Sequence, residues 1–231
     1  MIDDEETPFS HASPPCFASE LDPEYADRGA AKPQNVEAVR DWRRAERSRL
    51  LAARAALPVA MRQLSAQQIA QHLDQILLAR PGALAGLTVS AWWPIKAELD
   101  LRFWLATLGA RGARAALPVV VARAAPLTFR AWTPGADMER GFWNIPVPAS
   151  GPEIVPDILL SPVVGWDAEG YRLGYGGGYF DRTLAALTSR PLAIGIGLAS
   201  ARIDTIFPQP HDIAMHIVIT EDGIHRPSVR T

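Results

Sequence analysis

Several stretches of this chain are dominated by apolar residues without alternation: LTVSAWW (87–93), AALPVVV (115–121), DILLSPVV (157–164), LAIGIGL (192–198) and HIVIT (216–220). A strand with one face in water alternates apolar and polar side chains with a period of two. Strands that do not alternate are covered on both faces, which points to a mostly parallel sheet held between helices. LTFRAW (127–132) reads as a further strand. Helical segments lie between these runs. VEAVRDWRRAERSRLLAARAAL (36–57) is rich in Ala, Leu and Arg and is stopped by Pro58. SAQQIAQHLDQILLAR (65–80) carries Ile69, Leu73, Ile76 and Leu77 on one face, with Ser65 as its expected N-cap. DLRFWLATLGARG (100–112) is expected to start at an Asp100 N-cap, and YFDRTLAAL (179–187) completes the set. The expected architecture is one α/β domain over 36–231, a three-layer α/β/α sandwich with a mostly parallel central sheet. Residues 1–35 mix Asp, Glu, Ser, Pro and Gly without periodicity and read as a disordered tail.

Charge and cysteine content narrow the function classes. With a formal net charge of −2, the chain has no global attraction for nucleic acid or acidic membranes, so any site for a polyanion must be local. The single cysteine, Cys16, excludes an internal disulfide and cysteine-rich zinc patterns. No apolar run approaches the roughly 20 residues that span a bilayer. The acidic, proline-punctuated start has neither the basic nor the apolar region of a signal peptide, so the expected location is the cytoplasm.

The densest chemical signal is YRLGYGGGYFDR (171–182), in which Gly174, Gly176, Gly177 and Gly178 sit among aromatics between Arg172 and Asp181. It follows an expected strand and opens an expected helix. A helix start offers unpaired N–H groups and a partial positive charge, and glycines let backbone approach phosphate oxygens closely. Arg172 adds a planar cation at the loop entrance. The two familiar nucleotide motifs do not fit: GxGxxG fails because Tyr179 or Asp181 falls on its sixth position, and no Lys-Ser/Thr follows the glycines as a P-loop requires. Asp181 suits a helix dipole and a Mg²⁺ site equally, since magnesium takes one or two carboxylates plus phosphate and water. Arg43 and Arg47, four apart on the first helix, can reach one phosphate chain, or they belong to a solvated basic face with Arg40, Arg44, Arg49 and Arg54. His211 and His216 lack a third ligand for zinc.

Taken together these residues resemble the 5-formyltetrahydrofolate cyclo-ligases, also called methenyltetrahydrofolate synthetases. The resemblance runs from about Arg43 to Glu221 and is carried by WWPIKAELD (92–100), FWNIPVP (142–148), DILLSPVVGWD (157–167), GYRLGYGGGYFDR (170–182) and PHDIAMHIVITEDG (210–223). It implies a three-layer α/β enzyme that uses ATP and Mg²⁺ to convert 5-formyltetrahydrofolate, with or without a polyglutamate chain, to 5,10-methenyltetrahydrofolate. In such chemistry the formyl oxygen attacks the γ-phosphate, N10 closes the ring and phosphate leaves. The resemblance puts ATP on Arg43, Arg47, Arg172, Leu173, Gly174, Tyr175, Gly176, Gly177, Gly178 and Tyr179, and Mg²⁺ on Asp181 and Asp212. It puts the folate on Trp93, Glu98, Trp143, Tyr175 and Tyr179, with Arg172, Asp181 and Glu98 closest to the chemistry. A carboxylate beside aromatic rings is what a pterin needs, because it has a ring face to stack and N–H groups to donate. The expected state is a monomer with no nucleic-acid or membrane partner.

Three positions depart from the family pattern. Phe180 stands where a second tyrosine is common, Arg43 replaces a lysine, and His216 replaces an acid. They keep open an alternative, a divergent paralogue that binds nucleotide or a pterin-like ligand without closing the ring.

Overall fold

The computed structural model describes residues 35–79 and 83–227. The tail expected over 1–35 lies outside the described residues except for Asn35, whose side chain accepts the Ala38 N–H at 2.8 Å and caps the first helix, α1 (Val36–Ala56). Pro58 ends α1 as expected, but it also starts α2 (Val59–Leu77). Ser65 is therefore not an N-cap; it is buried inside α2, on the face that carries Ile69 and Leu73. A proline's fixed φ suits a helix entrance, and no Gly or Pro interrupts 59–77, so the helix propagates from Pro58.

The central sheet has seven strands in the order β11-β10-β9-β6-β1-β2-β3. Its five inner strands, β1 (Thr88–Ser90), β2 (Arg114–Val120), β6 (Ile158–Pro162), β9 (Leu192–Ile196) and β10 (Ile217–Thr220), all pair in parallel. β3 (Leu127–Trp132) and β11 (Gly223–His225) pair antiparallel at the two edges. The fold is thus the expected three-layer α/β sandwich. The parallel strands are buried along nearly their whole length, with Val89, Leu159, Leu160 and Ile194 fully enclosed, which is why their sequences do not alternate.

Three elements differ from the sequence expectation. The helix expected over 100–112 shrinks to α3 (Arg102–Leu105) followed by a 3-10 turn at Gly109–Arg111. Asp74 of α2 explains the fold-back: it accepts both the Trp104 indole N–H at 2.7 Å and the Arg111 guanidinium at 2.6 Å, drawing both ends of the segment to one point. Asp100 still accepts the Arg102 N–H at 3.0 Å, one residue ahead of the position expected of a cap. A hairpin of β4 (Met138–Arg140) and β5 (Pro146–Pro148) carries the FWN turn. A second, β7 (Gly165–Trp166) with β8 (Arg172–Leu173), separates β6 from the glycine run, which then opens α4 (Tyr179–Ala186).

Candidate active site

β1 is where the strand order reverses: β2 lies on one side of it and β6 on the other. In open α/β sheets such a reversal leaves a crevice beyond the carboxyl ends of the strands. A cavity lies there, bounded by Trp92 after β1, Val163 after β6 and Gly197 after β9, and roofed by Leu50 and Arg54 of α1. Glu98 lines it from the loop that follows β1.

The glycine run crosses this end of the molecule. Gly176 (φ 93°) and Gly178 (φ 63°) occupy the left-handed region, where a side chain is strained, and Gly178 is the N-cap of α4. That helix start has no side-chain cap, so its first N–H groups take no side-chain cap bond. Leu173, expected at the ATP site, has a core side chain, 1% exposed, and its carbonyl accepts the Val164 N–H at 2.8 Å. Arg172 is also buried, with 4% of its side chain exposed. It donates to Asp181 Oδ1 at 3.1 Å and to the Ile213 carbonyl at 3.0 Å, and burial pulls its pKa below the usual arginine value against the opposing pull of Asp181.

Of the two expected metal carboxylates, Asp181 is tied to the segment that carries Asp212. Asp181 Oδ1 also accepts the backbone N–H of Ile213 at 3.0 Å, which ties α4 to the residue beside Asp212. Asp212 accepts the Gln209 N–H at 2.6 Å and pairs with Arg43 at 2.5 Å. Hard carboxylate oxygens fit magnesium, and Asp181 Oδ2 takes no hydrogen bond among the described residues. Because those residues hold no cluster of three acidic, histidine or cysteine ligands, phosphate and water would have to complete the shell.

Arg43 and Arg47 leave α1 in different directions. Arg43 spends its donors on the 206–212 loop, giving Nε to the Ile206 carbonyl and Nη2 to the Phe207 carbonyl, both at 2.9 Å, besides the Asp212 pair. Arg47 gives Nε to the Gly174 carbonyl at 2.6 Å, and its two terminal nitrogens take no protein partner among the described residues. Burial, Arg43 and Arg44 all depress its pKa, so a phosphate there would relieve a real concentration of positive charge.

Glu98 is 8% exposed. Its Oε2 accepts the Ile95 N–H at 2.8 Å across a turn in which Lys96 (φ 46°) and Ala97 (φ 62°) are both left-handed. Burial raises its pKa; the Ile95 N–H, Arg54, the Tyr175 hydroxyl and the Trp92 indole all oppose the rise. Tyr175 is pushed up to about 12, chiefly by burial and then by Glu98. Arg54 donates to Tyr175 Oη and, at 3.2 Å, to the Lys96 carbonyl. Two site residues escaped the sequence reading. Arg54, taken with the basic face, is buried, and Trp92 rather than Trp93 lines the cavity. A signal for Arg54 was available: Arg43, Arg47, Leu50 and Arg54 recur at helical spacing, with a leucine inside the row.

The remaining aromatics divide between three places. Trp143, 60% exposed and left-handed at φ 52°, stands edge-on to Tyr179 at 5.5 Å, beside the end of the glycine loop. Trp93 lies outside the cavity lining, with the Arg102 guanidinium 4.3 Å from its ring centre. Phe180 packs on the core with Arg172 at 5.9 Å from its ring. His216 Nδ1 accepts the Ala193 N–H at 3.0 Å at the entrance of β9, the opposite end of the strands from the cavity. His211 is exposed.

Comparison with known proteins bears on what this arrangement does. Residues 39–221 match the model of the 5-formyltetrahydrofolate cyclo-ligase family. A 5-formyltetrahydrofolate cyclo-ligase of Mycolicibacterium smegmatis is 32% identical over 187 residues, which cover 77% of this chain and 93% of the relative. Among solved structures, a 5,10-methenyltetrahydrofolate synthetase from Mycoplasma pneumoniae is similar at 26% identity and a TM-score of 0.63, covering 78% of this chain and 98% of that one. The Aquifex aeolicus 5,10-methenyltetrahydrofolate synthetase shares the fold, with a TM-score of 0.68 at 24% identity over 82% of this chain and 95% of that one.

Proposed function

This chain belongs to the 5-formyltetrahydrofolate cyclo-ligase family, and on that premise we propose that it converts 5-formyltetrahydrofolate to 5,10-methenyltetrahydrofolate with ATP and Mg²⁺. One juxtaposition carries the reading. Tyr175, at the centre of the glycine loop, bonds Arg54 and acts on Glu98, so the loop suited to phosphate and the carboxylate suited to a pterin meet at one cleft. The pterin donates its N–H groups to Glu98, which must be ionised to accept them. Tyr175, Tyr179 and Trp143 border the space between the two ligands.

Arg47 and the open N–H groups at the start of α4 take the phosphates, and Arg43 fixes the loop that carries Asp212. Asp181 and Asp212 would hold Mg²⁺, which when bound neutralises phosphate charge. With both substrates held, the formyl oxygen displaces ADP from the γ-phosphate. N10 then attacks the activated formyl carbon, phosphate leaves with the former formyl oxygen, and N10 gives up its proton. Such phosphoryl transfer needs positioning and charge neutralisation rather than a protein nucleophile, in keeping with a single cysteine at position 16.

The test is direct. Purified chain, 5-formyltetrahydrofolate, ATP and Mg²⁺ should produce the near-ultraviolet absorbance of the methenyl product in step with ADP. Ligand binding without that product would replace this reading with the divergent-paralogue one.

A further inference from the structure

Arg54 is the least expected residue of the cleft. It is 7% exposed, three turns along α1 from Arg43, and it bridges three segments far apart in sequence. Nη2 donates to Tyr175 Oη in the glycine loop and to the Lys96 carbonyl in the turn before Glu98. Nε is buried and has no partner among the described residues, a spare donor on a residue that lines the cavity. Burying an arginine is costly unless it is paired and hydrogen-bonded. Here no carboxylate forms a salt bridge with it among the described residues. What it holds instead is a turn with two consecutive left-handed non-glycine residues, a conformation that persists only when its surroundings impose it.

We infer that Arg54 is a positioning residue of the folate site, which fixes the 95–98 turn and the Tyr175 hydroxyl and keeps the Glu98 carboxylate charged for the pterin. This rests on the function proposed above. Arg54 and Tyr175 face Glu98 from α1 and the glycine loop; on its own segment stand the Ile95 N–H, Lys96 and the Trp92 indole. The remaining walls, from 162–164 and 196–201, bring no titratable group. Arg54 is thus the cation whose charge opposes the rise in Glu98's pKa. Without it the carboxyl protonates at higher pH, and a protonated Glu98 no longer accepts from two pterin N–H groups.

The experiment is equilibrium binding of 5-formyltetrahydrofolate and, separately, of ATP across pH to the full chain as wild type, Arg54→Met and Arg54→Lys. Arg54→Met should move the acid limb of folate binding to higher pH, and below that limb each unit of displacement weakens binding by about tenfold. The deficit should shrink as pH rises, and ATP affinity should stay within about twofold, the range of ordinary uncoupled changes. Arg54→Lys keeps the cation, so its acid limb should stay near the wild-type position even if Arg54→Met does not fold. A loss of equal size at every pH, a parallel loss of ATP, or an acid limb that moves in Arg54→Lys would overturn the inference alone. Wild-type chain that binds no folate would overturn the functional reading and this inference with it.

Discussion

Burial lifts the Glu98 carboxyl above the ordinary carboxylate range, and its neighbours oppose the lift without cancelling it. The sign follows for stability. A carboxyl whose folded pKa is raised contributes stability below its unfolded pKa and loses that contribution as pH rises through the folded value. Above its folded pKa the ionised Glu98 is therefore a burden on the fold. Glu98→Gln should melt at or above the wild-type temperature at neutral pH, with the difference fading toward the unfolded carboxyl pKa of about 4.3, while folate binding collapses; thermal melts beside binding isotherms check both halves. Asp181 is held by different partners. Its carboxylate meets the buried Arg172 and the Ile213 N–H, so Asp181→Asn removes charge from beside an arginine that is 4% exposed. That variant should lose roughly 1–3 kcal/mol of stability and its Mg²⁺-dependent turnover. Normal turnover in urea-titrated, folded Asp181→Asn would sink the metal assignment.

α1 works at the scale of an element, as a strut whose one face carries Arg43, Arg47, Leu50 and Arg54 to three different loops. Each loop has little regular structure of its own, so the helix supplies the anchoring that strands supply elsewhere. Arg43→Gln should leave α1 folded but raise amide exchange across 206–213, because both carbonyl contacts and the Asp212 pair depend on that guanidinium. Unchanged exchange there would show that the loop holds itself. α4 depends on its entrance in the same way. Gly178 is left-handed at φ 63°, and Gly178→Ala should cost about 1–2 kcal/mol while turning the loop N–H groups away from the phosphates. The expected kinetic signature is a raised KM for ATP with the folate KM less affected.

At the scale of the molecule, the buried hydrophobic residues among the described ones run from Val39 to Ile219. Residues 1–34 mix polar, Pro and Gly residues without periodicity, so a chain beginning at Asn35, which keeps the α1 cap, should melt like the full chain; a large fall in melting temperature would contradict this. The sequence determined the layers. Non-alternating strands can be stable only with both faces covered, so the parallel sheet between helices was legible before any coordinate, as were the breaks at Pro58 and at the glycine run. It also determined the chemical types at the site, since Glu98, Asp181, Asp212 and the glycines carry their chemistry locally. Tertiary structure decided which of these meet. The short α3, the two added hairpins and the burial of Arg54 follow from contacts between residues distant in the chain, such as Asp74 with Arg111 and Arg54 with Tyr175. Arg43 and Arg47 looked equivalent on the helix, yet one is consumed by the 206–212 loop and the other keeps its terminal nitrogens open. Periodicity reports whether a side chain points inward or outward. It does not report which partner waits there, because that is fixed by strand order, and strand order is set by the packing of the whole sheet.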